Sequence, residues 1–386
     1  MVIVQIVFWL SVAGVIYAYA GYPAILSLMA RRRVRGTARR RGRPRVTVIV
    51  AAYNEAACIG RKLASTLSQR YPWDRLDVVV VSDGSTDGTD DIVAACPDPR
   101  VTLVRQDRRS GKSVALNRGV AAAKGEILVF TDANAIFAPD AISRLAAAFD
   151  DPRVGLVSGQ GLYTATIGRD ARAVANGYVR YEALLKTAEG AFGFVAGADG
   201  AIYALRRSLY RDLDGAEVND LLHPIQAALA GYRSVFDADA YTVEPPSTDA
   251  RQEFGRHVRI IAQGVHLLVG WLPKLVAARR WRAVWFLTSH RILRWTSALL
   301  LVTALLTNAL LAGTSSLYAT LLMGQVAFYL LALTGLVAER RGRRLGRLAM
   351  PYYFCVVSAA GIGGLVRFAR TGAEAVWAPG ARVGAV

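Results

Sequence analysis

The sequence predicts an α/β module with a mostly parallel sheet, joined to membrane helices before and after it. Three observations carry this. Strand-like and helix-like segments alternate from Val46 to Thr131, uncharged apolar runs flank that region, and arginines cluster beside the runs. A chain of 386 residues has room for a catalytic domain and a membrane part. Its formal net charge of +18 sits largely beside the apolar helices, which points to anionic lipid headgroups and away from nucleic acid.

No charge occurs from Val2 to Ala30, and nine arginines follow: Arg31, Arg32, Arg33, Arg35, Arg39, Arg40, Arg41, Arg43 and Arg45. Ala18-Tyr19-Ala20 has the small-residue form of a signal-peptidase site, but the positive charge comes after the apolar run, as in an uncleaved anchor. Residues 1–30 are therefore read as a transmembrane helix and residues 31–45 as a basic linker.

The module then alternates. Val46–Ala52, Asp77–Ser82, Val101–Arg105 and Glu126–Thr131 read as strands, and Glu55–Gln69, Thr86–Ala95 and Lys112–Ala123 as helices. The run Ile127-Leu128-Val129-Phe130 suits a strand covered on both faces. The order predicts a sheet whose loops gather Tyr53-Asn54-Glu55, the segment from Asp83 to Asp87, and Asp132-Ala133-Asn134 along its C-terminal edge, where open sheets bind ligands. Acidic groups meeting there repel unless something cationic sits among them. Asp132 and Asn134, one residue apart on extended chain, point the same way and can offer hard oxygens to one Mg²⁺ or Mn²⁺ ion that holds a diphosphate.

Ser110-Gly111-Lys112-Ser113 imitates a phosphate-binding P-loop, but the first glycine of that motif would stand at position 106, which is Gln106. Lys112 at a helix start is either a phosphate contact or a solvated lysine. The cysteines Cys58, Cys96 and Cys355 lack metal-ligand spacing, and His223, His257, His266 and His290 form no cluster.

From Trp295 to Ala338 there is again no charge, a length for two spans with Ala312–Ser316 as their turn, and Leu348–Val366 suits one more. Arg340, Arg341, Arg343, Arg344 and Arg347 precede that last helix. Both arginine clusters fall on one side if the chain crosses once before the module and three times after it, which makes the module cytoplasmic. Between Ile261 and Trp285, apolar residues mix with Trp271, Trp281, Trp285, Lys274, Arg279, Arg280 and Arg282, as in helices lying at headgroup depth. The division is residues 46–262 catalytic, 263–290 interfacial, 291–370 three transmembrane helices and 371–386 a tail.

The segments AAYNEA, VVSDGSTDGT, SGKSVALNRG, TDAN, GADGAIYALRR, VNDLLHP and EFGRHVRIIAQG, in that order over roughly residues 46 to 264, resemble the membrane-bound family 2 glycosyltransferases. Within them the likeness is to the cellulose-synthase-like and exopolysaccharide synthase branch. It implies a GT-A fold, a nucleotide-sugar donor (uridine for preference), a divalent metal and inversion at the anomeric carbon. By motif match Asp83 contacts the nucleoside, with Tyr53 and Glu55 lining the same pocket. Asp132 and Asn134 hold the DxD positions, Asp220 matches the general base, and Arg256 and Arg259 match arginines that grip the diphosphate. Three residues depart from the pattern. Asn134 gives one charge fewer than aspartate, Asn219 replaces the acid before the base, and Ile260 replaces a tryptophan that in polymerising members helps form the acceptor site.

The expectation is an enzyme of the inner (plasma) membrane, a hexosyltransferase acting on a growing polysaccharide. Transfer to a polyprenyl phosphate or another lipid carrier is the alternative, and a non-catalytic scaffold the reading from another class. Membrane lipids and an export partner or second copy are the expected associates.

Overall fold

The computed structural model describes residues 1–30, 42–163, 177–245, 250–343, 346 and 349–372. The arginines of the linker up to Arg41, Arg344, Arg347 and the tail from residue 373 lie outside them.

A long helix, α1 (Val2–Ala30), precedes the module. The alternation then holds: β1 (Val46–Ala52), α2 (Ala56–Leu67), β2 (Leu76–Asp83), α3 (Thr89–Ala94), β3 (Val101–Gln106), α4 (Lys112–Ala122) and β4 (Ile127–Asp132). The helix expected from Thr86 starts only at Thr89. Gly88 has φ +87° there, and the Asp87 carboxylate takes the Thr89 amide and hydroxyl, so the preceding residues form a turn.

The second half of the module adds β5 (Ile136–Phe137), α5 (Ala141–Ala147), β6 (Val154–Tyr163), α6 (Gly177–Ala191), β7 (Tyr203–Arg206), α7 (Asn219–Leu229) and β8 (Arg233–Glu244). One sheet of eight strands results, in the order β3-β2-β1-β4-β7-β6-β8-β5. The first four strands run parallel, while β7 meets β4 and β6 antiparallel and β5 meets β8 antiparallel. Chain order reverses at β1, which has β2 on one side and β4 on the other. A crevice for a ligand opens at such a point, beyond the strand ends.

Pleating explains the apolar runs. Val46, Val48, Val50, Val78 and Val80 enter one core with Ile59 and Leu63 of α2, while Val79 and Val81 join Ala115 of α4 on the other face. Each such valine contributes about 1.5–3 kcal/mol of burial. Close packing at the start of β4 needs glycine. A Cβ on Gly125 would stand 2.5 Å from the Thr47 amide nitrogen, and the Gly125 amide donates to Thr47 Oγ1 at 2.8 Å.

Residues 26–248 and 267–286 belong to this compact unit, and residues 1–25, 249–266 and 287–372 to a second, helical one. The helical unit contains most of α1, the first part of α8 (Ala250–Ala277), the end of α9 (Trp281–Trp295), and α10 (Ser297–Leu311), α11 (Ser316–Arg340) and α12 (Ala349–Thr371). Phe8, Ala304, Leu311 and Tyr318 form its small core, with Tyr17 hydrogen-bonded to Ser289 at 2.9 Å and Tyr19 to Ser297 at 3.2 Å.

Val2–Ala30, Phe254–Ala277, Ser316–Arg340 and Met350–Thr371 are long and apolar enough to cross a membrane, and α9 with α10 makes a further, bent pair at 58°. Here the helices differ from the expected division. At 15 residues α10 reaches only ~22 Å, short of the ~30 Å hydrocarbon layer, so a crossing there needs α9 as well. The stretch expected at the interface is the end of α8 and the start of α9. Within the sheet-containing unit, Trp271 Nε1 donates to Glu217 Oε1 at 3.0 Å, Arg282 to the Phe192 carbonyl at 2.9 Å and Arg280 to the Leu229 carbonyl at 3.2 Å.

Gly125→Ala is expected to lower the stability of the module by about 1–3 kcal/mol through this overpacking, read as a lower thermal midpoint in detergent, with α-helical content unchanged at 20 °C.

Candidate functional site

The edge at the ends of β1, β2 and β4 is built from backbone first. Register sets Ala51 of β1 opposite Asp132 of β4, and Asp83 of β2 opposite Gln106 of β3. The predicted loops therefore do share one edge. Asn54, with φ +53°, turns the chain out of β1, donates its amide to Ser85 and accepts the Thr86 amide at 2.8 Å, which ties the first two loops together.

Asp83 is buried and already crowded with donors. Its Oδ1 accepts Gln106 Nε2 at 2.9 Å and the Ser110 amide at 2.6 Å, and its Oδ2 accepts the Gly111 amide at 2.8 Å. The amides that would cradle a phosphate in a P-loop are here spent on an internal carboxylate, which settles why that motif is a mimic. Glu55, also buried, accepts the Cys58 thiol at 2.9 Å and donates its amide to Thr89. Tyr53 lies under the Arg109 guanidinium, 4.0 Å from ring centre to cation, and Nη2 of Arg109 is buried without a hydrogen bond.

Lys112 is the first residue of α4, and its Nζ lies 2.7 Å from Asp132 Oδ1. Burial would lower its pKa, but Asp132, helped by Asp220 and Glu244, holds the ammonium above its ordinary value. The lysine is thus the cation that the converging acids required. Asn134 Nδ2 donates to Glu244 Oε2 at 3.1 Å.

Asp220 sits in the first turn of α7, with its carbonyl accepting the Ala198 amide at 2.8 Å. A Cβ on Gly200 would stand 3.0 Å from Asp220 Oδ2, so a side chain there would press the carboxylate back by a few tenths of an ångström. Next to it Asp199 accepts the amides of Gly161 at 2.9 Å and Ala201 at 3.2 Å. Asp83, Lys112, Asp132, Asn134 and Asp220 thus all belong to the sheet-containing unit, whereas Arg256 and Arg259 share one helix, α8, in the helical unit. Among the described residues no group of three or more His, Cys, Asp or Glu side chains is arranged to hold a metal alone.

Four residues of the site escaped the sequence reading. Lys62 is wholly buried, with Nζ donating to Thr131 Oγ1 at 2.7 Å and to the Ala135 carbonyl at 2.6 Å, 3.5 Å from the centre of the Phe137 ring. It braces both flanks of Asp132-Ala133-Asn134. Burial lowers its pKa well below the ordinary value, against the pull of Asp132 and Glu244. Its signal was its place on the apolar face of α2 with Ile59, Leu63 and Thr66. Glu244, Arg109 and Asp199 gave no such signal, because only strand pairing and loop packing bring them in.

Asn219 has a structural account. Its amide donates to the Tyr203 hydroxyl, which lies 3.0 Å from His223 Nδ1 in a ring cluster with buried Phe130 and half-buried Tyr210. Burial pushes His223 down to about 3. Its ordinary value is 6.5, so between these limits the unfolded chain binds a proton that the folded chain refuses. Stability should therefore fall as pH drops from 6.5 towards 3, by up to about 1.4 kcal/mol per pH unit. The thermal midpoint is expected to decline between pH 7 and pH 5, and His223→Gln should flatten that decline.

Residues 47–208 match the model described as Glycosyl transferase family 2. Among curated proteins, the succinoglycan biosynthesis protein ExoO of Rhizobium meliloti (strain 1021) is 43% identical over 102 residues, 26% of this chain and 29% of that protein. A beta-monoglucosyldiacylglycerol synthase of Synechocystis sp. is 37% identical over 116 residues, 29% of this chain and 24% of its own length. The chain thus aligns with less than a third of either relative. Among solved structures, the mannosyltransferase PcManGT from Pyrobaculum calidifontis, in complex with GDP-Man and Mn²⁺, superposes with a TM-score of 0.68. It is 27% identical, and the match covers 94% of this chain and 99% of that one.

Proposed function

We propose that this chain, whose residues 47–208 are a family 2 glycosyl transferase domain of GT-A fold, is an integral membrane hexosyltransferase using a nucleotide-sugar donor. The observation that carries the reading is the Lys112–Asp132 pair at the end of β4, with Asp220 and Glu244 in its field. That arrangement suits a ligand bringing negative phosphates and a cation of its own. The full-length likeness to a mannosyltransferase bound to GDP-Man and Mn²⁺ supports the same ligand class. It leaves guanosine as open as uridine for the nucleotide.

The donor set fits a divalent ion held partly by the protein. Asp132 gives a carboxylate and Asn134 an amide oxygen, both hard ligands of the kind Mg²⁺ and Mn²⁺ take, with diphosphate and water for the rest. When bound, the ion neutralises charge on the leaving diphosphate. Lys112 orients that diphosphate. Tyr53, Glu55, Asp83 and Arg109 shape the nucleoside end. Asp220 takes the proton of the acceptor hydroxyl as the new bond forms on the face of the anomeric carbon opposite the diphosphate, which inverts the configuration.

A growing cell-surface polysaccharide is the acceptor we assign, supported by the likeness to a succinoglycan biosynthesis protein. A second reading, one sugar passed to a lipid, draws on the beta-monoglucosyldiacylglycerol synthase and on Ile260 in place of the acceptor-site tryptophan. We assign four crossings, to α1, the α9–α10 pair, α11 and α12. Although α8 has the length and hydropathy of a span, Trp271 is bonded to Glu217 of the sheet-containing unit, so we assign its second half to the membrane surface. This keeps both arginine clusters on the cytoplasmic side.

Asp220→Asn is expected to cut sugar transfer by about 10²–10⁴-fold while leaving affinity for GDP or UDP within a few fold, measured with a panel of labelled nucleotide sugars. Near-normal turnover would make Asp220 structural. For topology, a membrane-impermeant thiol reagent on whole cells should label a cysteine placed at Gly384 and spare one placed at Ser85, and the opposite pattern would overturn the orientation.

A further inference from the structure

We infer that Glu244 is a positioning residue for the divalent ion at Asp132 and Asn134, restoring the negative charge that asparagine at 134 leaves out. The inference rests on the donor-site reading above. Glu244 ends β8 and is 6% exposed. The register that sets Val243 opposite Ile136 brings it alongside the turn after β4. There Glu244 Oε2 accepts Asn134 Nδ2 at 3.1 Å.

An amide has its donor and its acceptor on separate arms of one flat group. Committing Nδ2 to Glu244 turns Oδ1 away from that carboxylate and makes it available to a cation. An aspartate at 134 would instead set two carboxylates against each other, and such pairs hold a proton between them. Asparagine at 134 and glutamate at 244 are therefore one arrangement: a neutral ligand with a fixed orientation, and a charge one hydrogen bond behind it. Lys62 and Lys112 both feel Glu244 together with Asp132, which places the two carboxylates in one electrostatic neighbourhood. Carboxylates that hold a ligand in this way tune metal affinity by about 10–100-fold.

The test is Mn²⁺ binding to the purified full-length chain, with GDP and separately with UDP, followed by the paramagnetic resonance of free Mn²⁺. Glu244→Gln keeps the size and the acceptor but loses the charge. It is expected to weaken Mn²⁺ by about tenfold or more, while either nucleotide in EDTA binds within about twofold of the unaltered chain. Asn134→Asp with Glu244→Gln moves the charge across the hydrogen bond and should recover affinity to within about threefold. Wild-type Mn²⁺ affinity in Glu244→Gln, or no recovery in the double variant, overturns the proposal. Should Glu244→Gln not fold, the double variant decides alone, by holding Mn²⁺ or failing to. If the unaltered chain holds no Mn²⁺ with either nucleotide, the donor-site reading falls and the proposal with it. If it does and only the variants disagree, the proposal alone falls.

Discussion

Everything at the sheet's C-terminal edge depends on how acidic side chains are kept together there. Asp132 and Glu244 lie among groups whose charges would disperse them in a bare site, and Asp220 joins them in the field felt by Lys112. Two lysines answer this in different ways. Lys112 pairs directly with Asp132 and is about a third exposed, so its ammonium is open to solvent beside that carboxylate. Lys62 is sealed beneath the turn and bonded to the residues before and after Asp132-Ala133-Asn134. One lies at the surface of the edge, and the other holds the backbone on both sides of the turn.

The cost of sealing Lys62 explains its surroundings. A buried ammonium needs its donors satisfied, and Thr131 Oγ1, the Ala135 carbonyl and the Phe137 ring provide for it. Thr131 in turn donates to the Ala201 carbonyl at 2.7 Å, next to the Gly200 that lies against Asp220. A short chain of contacts thus runs from α2 through the turn at Asp132-Ala133-Asn134 to the segment packed against Asp220. Changes at any of these positions would be felt as misplacement of Asp132 or Asp220, and in the proposed transfer small errors of that kind are expensive in rate.

Much of this was legible from the order of residues. The four parallel strands announced themselves by short β-branched runs between helical segments, and the register confirms that Asp83 and Asp132 end neighbouring strands of β1. The second half was harder. β5 has two residues and β7 four, too short for a periodic pattern, and both are held by antiparallel partners far away in sequence. Glu244 belongs to the same class, since nothing local to Val243-Glu244-Pro245 says that it meets Asn134. The helices showed the opposite difficulty. Hydropathy gives α8 the length and character of a span, whereas the tryptophans and basic residues from its second half onward read as a surface helix, and Trp271 is hydrogen-bonded to Glu217.

The two asparagines that depart from the family pattern have different physical origins. Asn219 feeds a buried chain through Tyr203 to His223, where its amide acts as a donor. A carboxylate at that position would have no proton to give the tyrosine, and it would add charge beside a neutral, desolvated imidazole. Asn134 faces a carboxylate, and its amide hydrogen is what allows the two side chains to approach. In both cases the amide replaces an acid where a hydrogen-bond donor is needed more than a charge. The charge lost at 219 is not needed while Asp220 remains next to it. The charge absent at 134 has a counterpart within hydrogen-bond reach in Glu244, so the two amides alter the hydrogen bonding of the site and leave a carboxylate beside each of them.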